Sequence, residues 1–134
     1  MLLEAENRKA LHNPDPELLI EYLFDLDPGG NSSFAYLTRD DGSYVQAAGG
    51  GTACVLKWRD IAHARHNRAY RLDLANQADQ SIAVLYSGAE IQVSANERHR
   101  IETVVEAFLA FLAGQPFPLT LGWRDIGADL GLDV

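Results

Sequence analysis

A single cysteine, Cys54, excludes any disulfide within the chain and gives no sign of an oxidising compartment. Long apolar runs are missing too. The most apolar stretch, Val104 to Ala113, is too short to span a bilayer and is interrupted by Glu106. The first nine residues hold Glu4, Glu6, Arg8 and Lys9, and no apolar run suited to a secretory signal follows them. The expected compartment is therefore the cytoplasm. No repeat, low-complexity tract or long linker divides the sequence, so its 134 residues are expected to form a single domain, 1–134. With 47% hydrophobic and 22% charged residues, the composition is that of a folded chain and not a disordered one.

Positive charge is in short supply: 11 Lys and Arg against 19 Asp and Glu leave a net charge of −8. A field of that sign repels nucleic acid and anionic membranes and attracts a basic partner. Neither nucleic acid nor membrane is therefore expected as a partner. The charge is unevenly spread. Residues 1–30 hold Glu4, Glu6, Asp15, Glu17, Glu21, Asp25 and Asp27 against two bases, and Asp125, Asp129 and Asp133 mark an acidic tail. The stretch 57–71 reverses the sign, with Lys57, Arg59, Arg65, Arg68 and Arg71 against Asp60. Ordinary solvated faces are the plain reading of these runs.

What is present reads as two helices and a set of strands. Asp15 suits an N-cap and Pro16 the first helical position. Leu18, Leu19, Tyr22, Leu23 and Leu26 then share one face, and Asp27-Pro28-Gly29-Gly30 stops the helix. The segment before Pro14 reads as a short helix or a loose arm. Residues 33–38 and 43–48 read as strands paired through a tight turn at Asp41-Gly42, because Asp-Gly tolerates the positive φ that such a turn needs. Gly49-Gly50-Gly51 is a second reversal into the strand Thr52 to Arg59. Residues 60–68 read as a polar connection. Ala69 to Leu74 alternates, with Tyr70, Leu72 and Leu74 on one face and Arg71 and Asp73 on the other. Ile82 to Ser87 and Ala89 to Ser94 are strands around Gly88. Asn96 can cap the second helix, whose stripe is Ile101, Val104, Val105, Phe108, Leu109 and Leu112, with Gly114 ending it. The tail, with Trp123, Ile126, Leu130 and Leu132, is apolar enough to pack back as a strand or short helix.

The fold class that follows is α+β, with two layers: a mostly antiparallel sheet of five or six strands and two main helices packed on one face. The other face is left open. By alternation it carries Lys57, Arg59, Arg71, Asp73, Glu90 and Gln92, and Tyr44 and Gln46 join it if Val45 and Ala47 turn inward. These eight residues are the candidate partner-binding set.

No catalytic set, metal site or cofactor is expected. His63 and His66 are three apart, but a metal needs a third and usually a fourth ligand, and Arg65 and Arg68 oppose a cation there. Cys54 has the parity to lie with Leu56 on a buried strand face and has no visible activating neighbour. The glycine run leads into a strand and is followed by no Lys-Ser or Lys-Thr pair, so it is a turn and not a phosphate loop. Asp40 and Asp41 belong to the hairpin turn, Glu102 and Glu106 to a solvated helix surface, and Gly-x-Ser-x-Gly is absent.

Three stretches carry a family resemblance: Gly42-Ser43-Tyr44-Val45-Gln46-Ala47-Ala48-Gly49-Gly50, Leu56-Lys57-Trp58-Arg59, and Ala107-Phe108-Leu109-Ala110-Phe111-Leu112-Ala113-Gly114. Their layout, over roughly residues 34–125, is similar to that of small bacterial immunity proteins encoded beside polymorphic or contact-dependent toxins. The pattern holds no catalytic signature and transfers no functional residue. It implies a cytoplasmic, non-catalytic protein that neutralises a toxin domain by stoichiometric binding. The acidic balance suits a basic toxin such as a nuclease. Two alternatives stay open: a small anion-binding or enzymatic domain using the basic segment 57–71, and a homodimer paired through the open sheet face.

Overall fold

A computed structural model of the chain describes residues 1–78 and 80–127, and of Leu85 and Tyr86 the backbone alone. Its strands are β1 (Leu2–Ala5), β2 (Leu11–His12), β3 (Phe34–Thr38), β4 (Tyr44–Gly50), β5 (Ala53–Asp60), β6 (Arg65–Arg71), β7 (Ser81–Tyr86), β8 (Ala89–Ser94) and β9 (Leu121–Asp125). Helices α1 (Pro16–Phe24) and α2 (Ile101–Ala113) complete the main elements. Seven strands form one antiparallel sheet in the order β2-β1-β3-β4-β5-β6-β9, and β7 and β8 pair separately. The α+β class, with both main helices on one sheet face, is as expected; the main sheet has seven strands and not five or six, and β7 and β8 lie outside it. No described helix is long and apolar enough to cross a membrane.

The hairpin at Asp41-Gly42 sets the register of the sheet. Gly42 takes φ +91°, a value glycine adopts at no steric cost. Arg39 N–H donates to Ser43 O at 2.8 Å, and Asp41 Oδ1 accepts from Ser43 N–H at 2.8 Å. Tyr36 therefore falls opposite Gln46, and Thr38 opposite Tyr44. Ser43 Oγ accepts from Ile61 N–H at 3.1 Å, which ties this turn to the next one.

One sheet face carries Leu3, Ala35, Leu37, Val45, Ala47, Cys54, Leu56 and Ala69, all fully buried. The alanines leave room for the helices to approach closely. From α1 and its C-terminal turn, Leu19, Tyr22, Leu23 and Leu26 pack here, while Leu18 points outward at 39% exposure. From α2 come Val104, Val105, Ala107, Phe108 and Phe111, and Gly114, left-handed at φ +68°, ends the helix as expected.

Several boundaries differ from those the sequence suggested. The segment before Pro14 is neither helix nor arm: β1 pairs with β3, and β2 with β1, at one sheet edge. Gly49 and Gly50 are strand residues, and the reversal falls at Gly51-Thr52. The polar connection 60–68 is a four-residue turn, 61–64, followed by β6, because its polar residues alternate across a strand with Asn67 and Ala69. Strand β6 ends at Arg71, and Leu72–Gln77 forms 3-10 turns, so the alternation of Leu72 and Leu74 is not strand alternation. Asn96 does not cap α2. Ser94 caps a short 3-10 turn, Ala95–Glu97, through a reciprocal capping box with Glu97, and Arg100 occupies the α2 cap position. The tail supplies β9, while Leu130 and Leu132 lie outside the described residues.

The β7–β8 hairpin explains most of the remaining difference. Its Val84 and Val93 pack on Val55, on the sheet face opposite the helices, so that face is covered at one end. At the hairpin tip, Glu6 accepts from Ser33 N–H (3.0 Å), Ser33 Oγ (2.7 Å) and Ser87 Oγ (2.8 Å). These bonds hold the Glu6 carboxyl below its ordinary range.

Gly50 marks where the chain leaving α1 crosses the sheet, because a Cβ there would overlap the Leu26 carbonyl. Gly50→Ala is expected to cost about 1–3 kcal/mol in urea denaturation through overpacking. Gly29→Ala would place its methyl group where nothing lies within 4 Å, and it is expected to stay within about 0.5 kcal/mol of the parent.

Candidate functional site

The sheet face away from the helices presents two cross-strand rows. One runs Glu4, Tyr36, Gln46, Lys57, Arg68, Arg124 through β1, β3, β4, β5, β6 and β9. The other runs Leu2, Thr38, Tyr44, Arg59, His66 through β1, β3, β4, β5 and β6. Four of the expected residues, Tyr44, Gln46, Lys57 and Arg59, are thus brought together as neighbours.

The other four are elsewhere. Arg71 has the parity of Ala69 and lies on the helix side, opposite Leu121. It pairs with Asp73 through two bonds of 3.1 and 2.7 Å and lines a cleft of about 480 Å³ with Arg100, Thr103 and Thr120. Asp73 sits in the 3-10 segment and not on a strand. Glu90 and Gln92 are exposed on β8, in the separate hairpin, where Gln92 Oε1 accepts from Ser81 Oγ at 3.2 Å. Alternation holds within each strand, but the strands do not all belong to one sheet.

Aromatic rings stiffen the face. Phe34, Tyr36, Tyr44 and His66 meet edge to face in sequence, with centroids 6.0, 5.5 and 6.0 Å apart. Such contacts contribute about 0.5–1.5 kcal/mol each beyond burial.

Charge is concentrated beside them. Lys57, Arg59, Arg68 and Arg124 are adjacent in the two rows, and one buried carboxylate, Glu97 at 2% exposure, faces them. Arg124 donates to Glu97 Oε2 from Nε (3.2 Å) and Nη2 (3.0 Å), and Arg68 Nη1 lies 3.6 Å from Glu97 Oε1. Two guanidinium donors, Arg59 Nη1 and Arg68 Nε, are buried without a hydrogen-bond partner. Burial and then the Arg68 charge push the Lys57 pKa down. Burial, followed by Lys57 and Arg59, does the same to His66. Burial raises the Tyr44 phenol, with Arg59 opposing. The site therefore carries concentrated positive charge, with two unpartnered guanidinium donors just beneath its surface.

His63 and His66 do not converge. His63 Nδ1 pairs with Asp60 Oδ2 at 2.7 Å in an exposed turn, whereas His66 packs on Tyr44. Among the described residues no three His, Cys, Asp or Glu side chains form a ligand group for a metal. Cys54 is buried beside Leu56, and burial pushes its thiol up to about 12. The sequence reading missed Tyr36, Arg124 and Glu97, and it named His66 and Arg68 only within the basic segment 57–71, without placing them on the sheet face. Tyr36, Arg124, His66 and Arg68 follow once the strand registers are known. Glu97 carried a local signal in Ser94-x-x-Glu97, the capping-box pattern.

A second imidazole, His99, is 1% exposed. Its Nε2 is 3.0 Å from Ala69 O and so carries the proton, while Nδ1 is buried without a partner. Burial holds its pKa down, as it does that of His66. In the unfolded chain both titrate near about 6.5, so below that pH the unfolded state takes up protons that the folded state resists. Stability is expected to be full above about pH 6.5 and to fall as the pH drops below it. Urea unfolding on either side of that pH checks it, and His99→Gln is expected to flatten the slope. Comparison with protein-family models gives no match, and comparison with curated proteins gives none.

Proposed function

We propose that the chain is a non-catalytic binding protein of the immunity type, which neutralises a bacterial toxin domain in the cytoplasm by forming a stoichiometric complex through the basic sheet face. The observation that carries this reading is the pair of cross-strand rows. Tyr44, Gln46, Lys57 and Arg59 are held together on rigid strands by interlocked rings, and Arg59 and Arg68 keep unpartnered donors. A preformed surface loses little entropy on binding, and Tyr and Arg are the residues enriched at binding hot spots. The resemblance of the 42–50, 56–59 and 107–114 stretches to immunity proteins supports the same reading.

The geometry refines the partner's chemistry. A chain of net charge −8 attracts a basic partner at long range. At contact, however, this face would meet carboxylates, or another acceptor-rich patch. The unpartnered guanidinium donors also favour a second reading, a site for a small anion such as a phosphorylated metabolite. Both readings place Arg59 and Arg68 at the centre.

Co-expression with the toxin encoded by the adjacent gene, together with calorimetric titration of the two purified proteins, tests the proposal. A 1:1 complex and cell rescue are expected. Tyr44→Ala and Arg59→Ala should each weaken binding by about 10–30-fold, the effect of losing about 1.4–2 kcal/mol at a hot spot. Binding that both substitutions leave unchanged would remove this face from the account. A thermal shift with phosphorylated metabolites and no protein complex would favour the second reading, and light scattering that shows a dimer would point to self-pairing.

A further inference from the structure

The turn end of the β5–β6 hairpin holds a second arrangement, on the opposite sheet face from the basic rows. Trp58 and Asn67 are cross-strand partners, Asp60 faces Arg65, and Trp123 on β9 stands beside Trp58. With His63 from the turn, these six residues line a cavity of about 420 Å³. The two indoles are 5.4 Å apart, inclined at 70°, and Phe117 lies 4.9 Å from each of them.

Asn67 is 2% exposed. Its Nδ2 donates to Trp58 O at 3.3 Å, while its Oδ1 is buried with no partner. A buried acceptor without a donor is unfavourable, and a ligand that carries N–H groups relieves it. Asp60 presents a carboxylate with a side chain 13% exposed, held in place by His63 Nδ1 at 2.7 Å. Asp125, opposite Asn67, faces Arg65 across a loose 3.8 Å pair. The cavity lining thus holds one carboxylate, Asp60, and one guanidinium, Arg65, with the Asp125 carboxylate next to Arg65 outside the lining. Two indole rings, a spare carbonyl acceptor and the Asp60 carboxylate together suit a flat or compact cation that carries N–H donors.

We infer that this cavity binds an organic monocation, a guanidinium or ammonium group, with its N–H donors on Asn67 Oδ1 and the Asp60 carboxylate and its body against Trp58 and Trp123. The basic face plays no part in it. The cation can arrive on a free small molecule or on a basic side chain of a protein, and the recognition chemistry is the same.

The chain contains two tryptophans, Trp58 and Trp123, and both line the cavity. Intrinsic fluorescence therefore reports directly on its occupancy. Titration of the full chain with 1-butylguanidinium and with N-acetyl-argininamide, each a monocation, is expected to give a saturable change with a Kd on the order of 1 mM or tighter. N-acetyl-citrullinamide, which is neutral and nearly isosteric, is expected to bind at least fivefold more weakly. Asp60→Asn should weaken the cations by a similar factor, and Asn67→Ala should do so if far-UV circular dichroism shows it folded. Tighter binding of 1-butylguanidinium assigns the site to free small-molecule cations, and tighter binding of the capped arginine assigns it to protein side chains. The inference is overturned if no cation gives a saturable change, if citrulline matches arginine, or if Asp60→Asn binds as the parent does.

Discussion

The buried carboxylate of Glu97 holds the β7–β8 hairpin to the sheet beside the basic face. Taking a carboxylate out of water costs several kcal/mol unless its oxygens are well partnered. Here Oε1 accepts from Ser94 N–H at 2.9 Å and faces Arg68, and Oε2 takes two bonds from Arg124. One side chain thus joins the end of β8 to β6 and β9. It also offsets part of the repulsion among four adjacent cations. Glu6 acts in the same way at the other end of the β7–β8 hairpin, through Ser33 and Ser87. A two-stranded hairpin is marginal by itself. Its apolar contact with the sheet is Val84 and Val93 on Val55, with Ile82 and Ile91 packed against them, and the two carboxylates add polar ties at its ends, beside the basic face.

Much of that face was legible because a tight turn fixes register. Once Asp41-Gly42 is the turn, Tyr44 and Gln46 must share a face with Thr38 and Tyr36. Strand parity then placed Lys57 and Arg59 correctly beside them. Longer inferences failed for physical reasons. Residues 65–68 look like a loop because both faces of β6 carry polar side chains there. Tyr70, Leu72 and Leu74 look like a strand because period-2 spacing also survives in a short 3-10 segment. Glu90 and Gln92 obey alternation, but alternation does not say to which sheet a strand belongs. The bond from Arg124 to Glu97 spans 27 residues, beyond any local pattern.

The same alternation explains why the β5–β6 hairpin carries two unlike chemistries. Lys57, Arg59, His66 and Arg68 fall on one face, and Trp58, Asp60, Arg65 and Asn67 on the other. The first face ends in donors that lack acceptors, and the second in an acceptor that lacks a donor. Net charge alone would have suggested a single preference for basic partners. The fold separates it into a cationic, ring-stiffened surface and an indole-walled acceptor pocket, with the acidic α1 residues Glu17 and Glu21 exposed at a distance from both in the sequence.

A double-mutant cycle between Glu97 and Arg124, read by urea denaturation, tests the central role of the carboxylate most directly. Because Arg124 is 45% exposed, its share is discounted from that of a fully buried pair. Glu97→Gln is expected to destabilise the fold by roughly 2–3 kcal/mol, and by at least about 1 kcal/mol less when Arg124→Gln is already present. A coupling energy within about 0.3–0.5 kcal/mol of zero, with Glu97→Gln itself near neutral, would contradict the account.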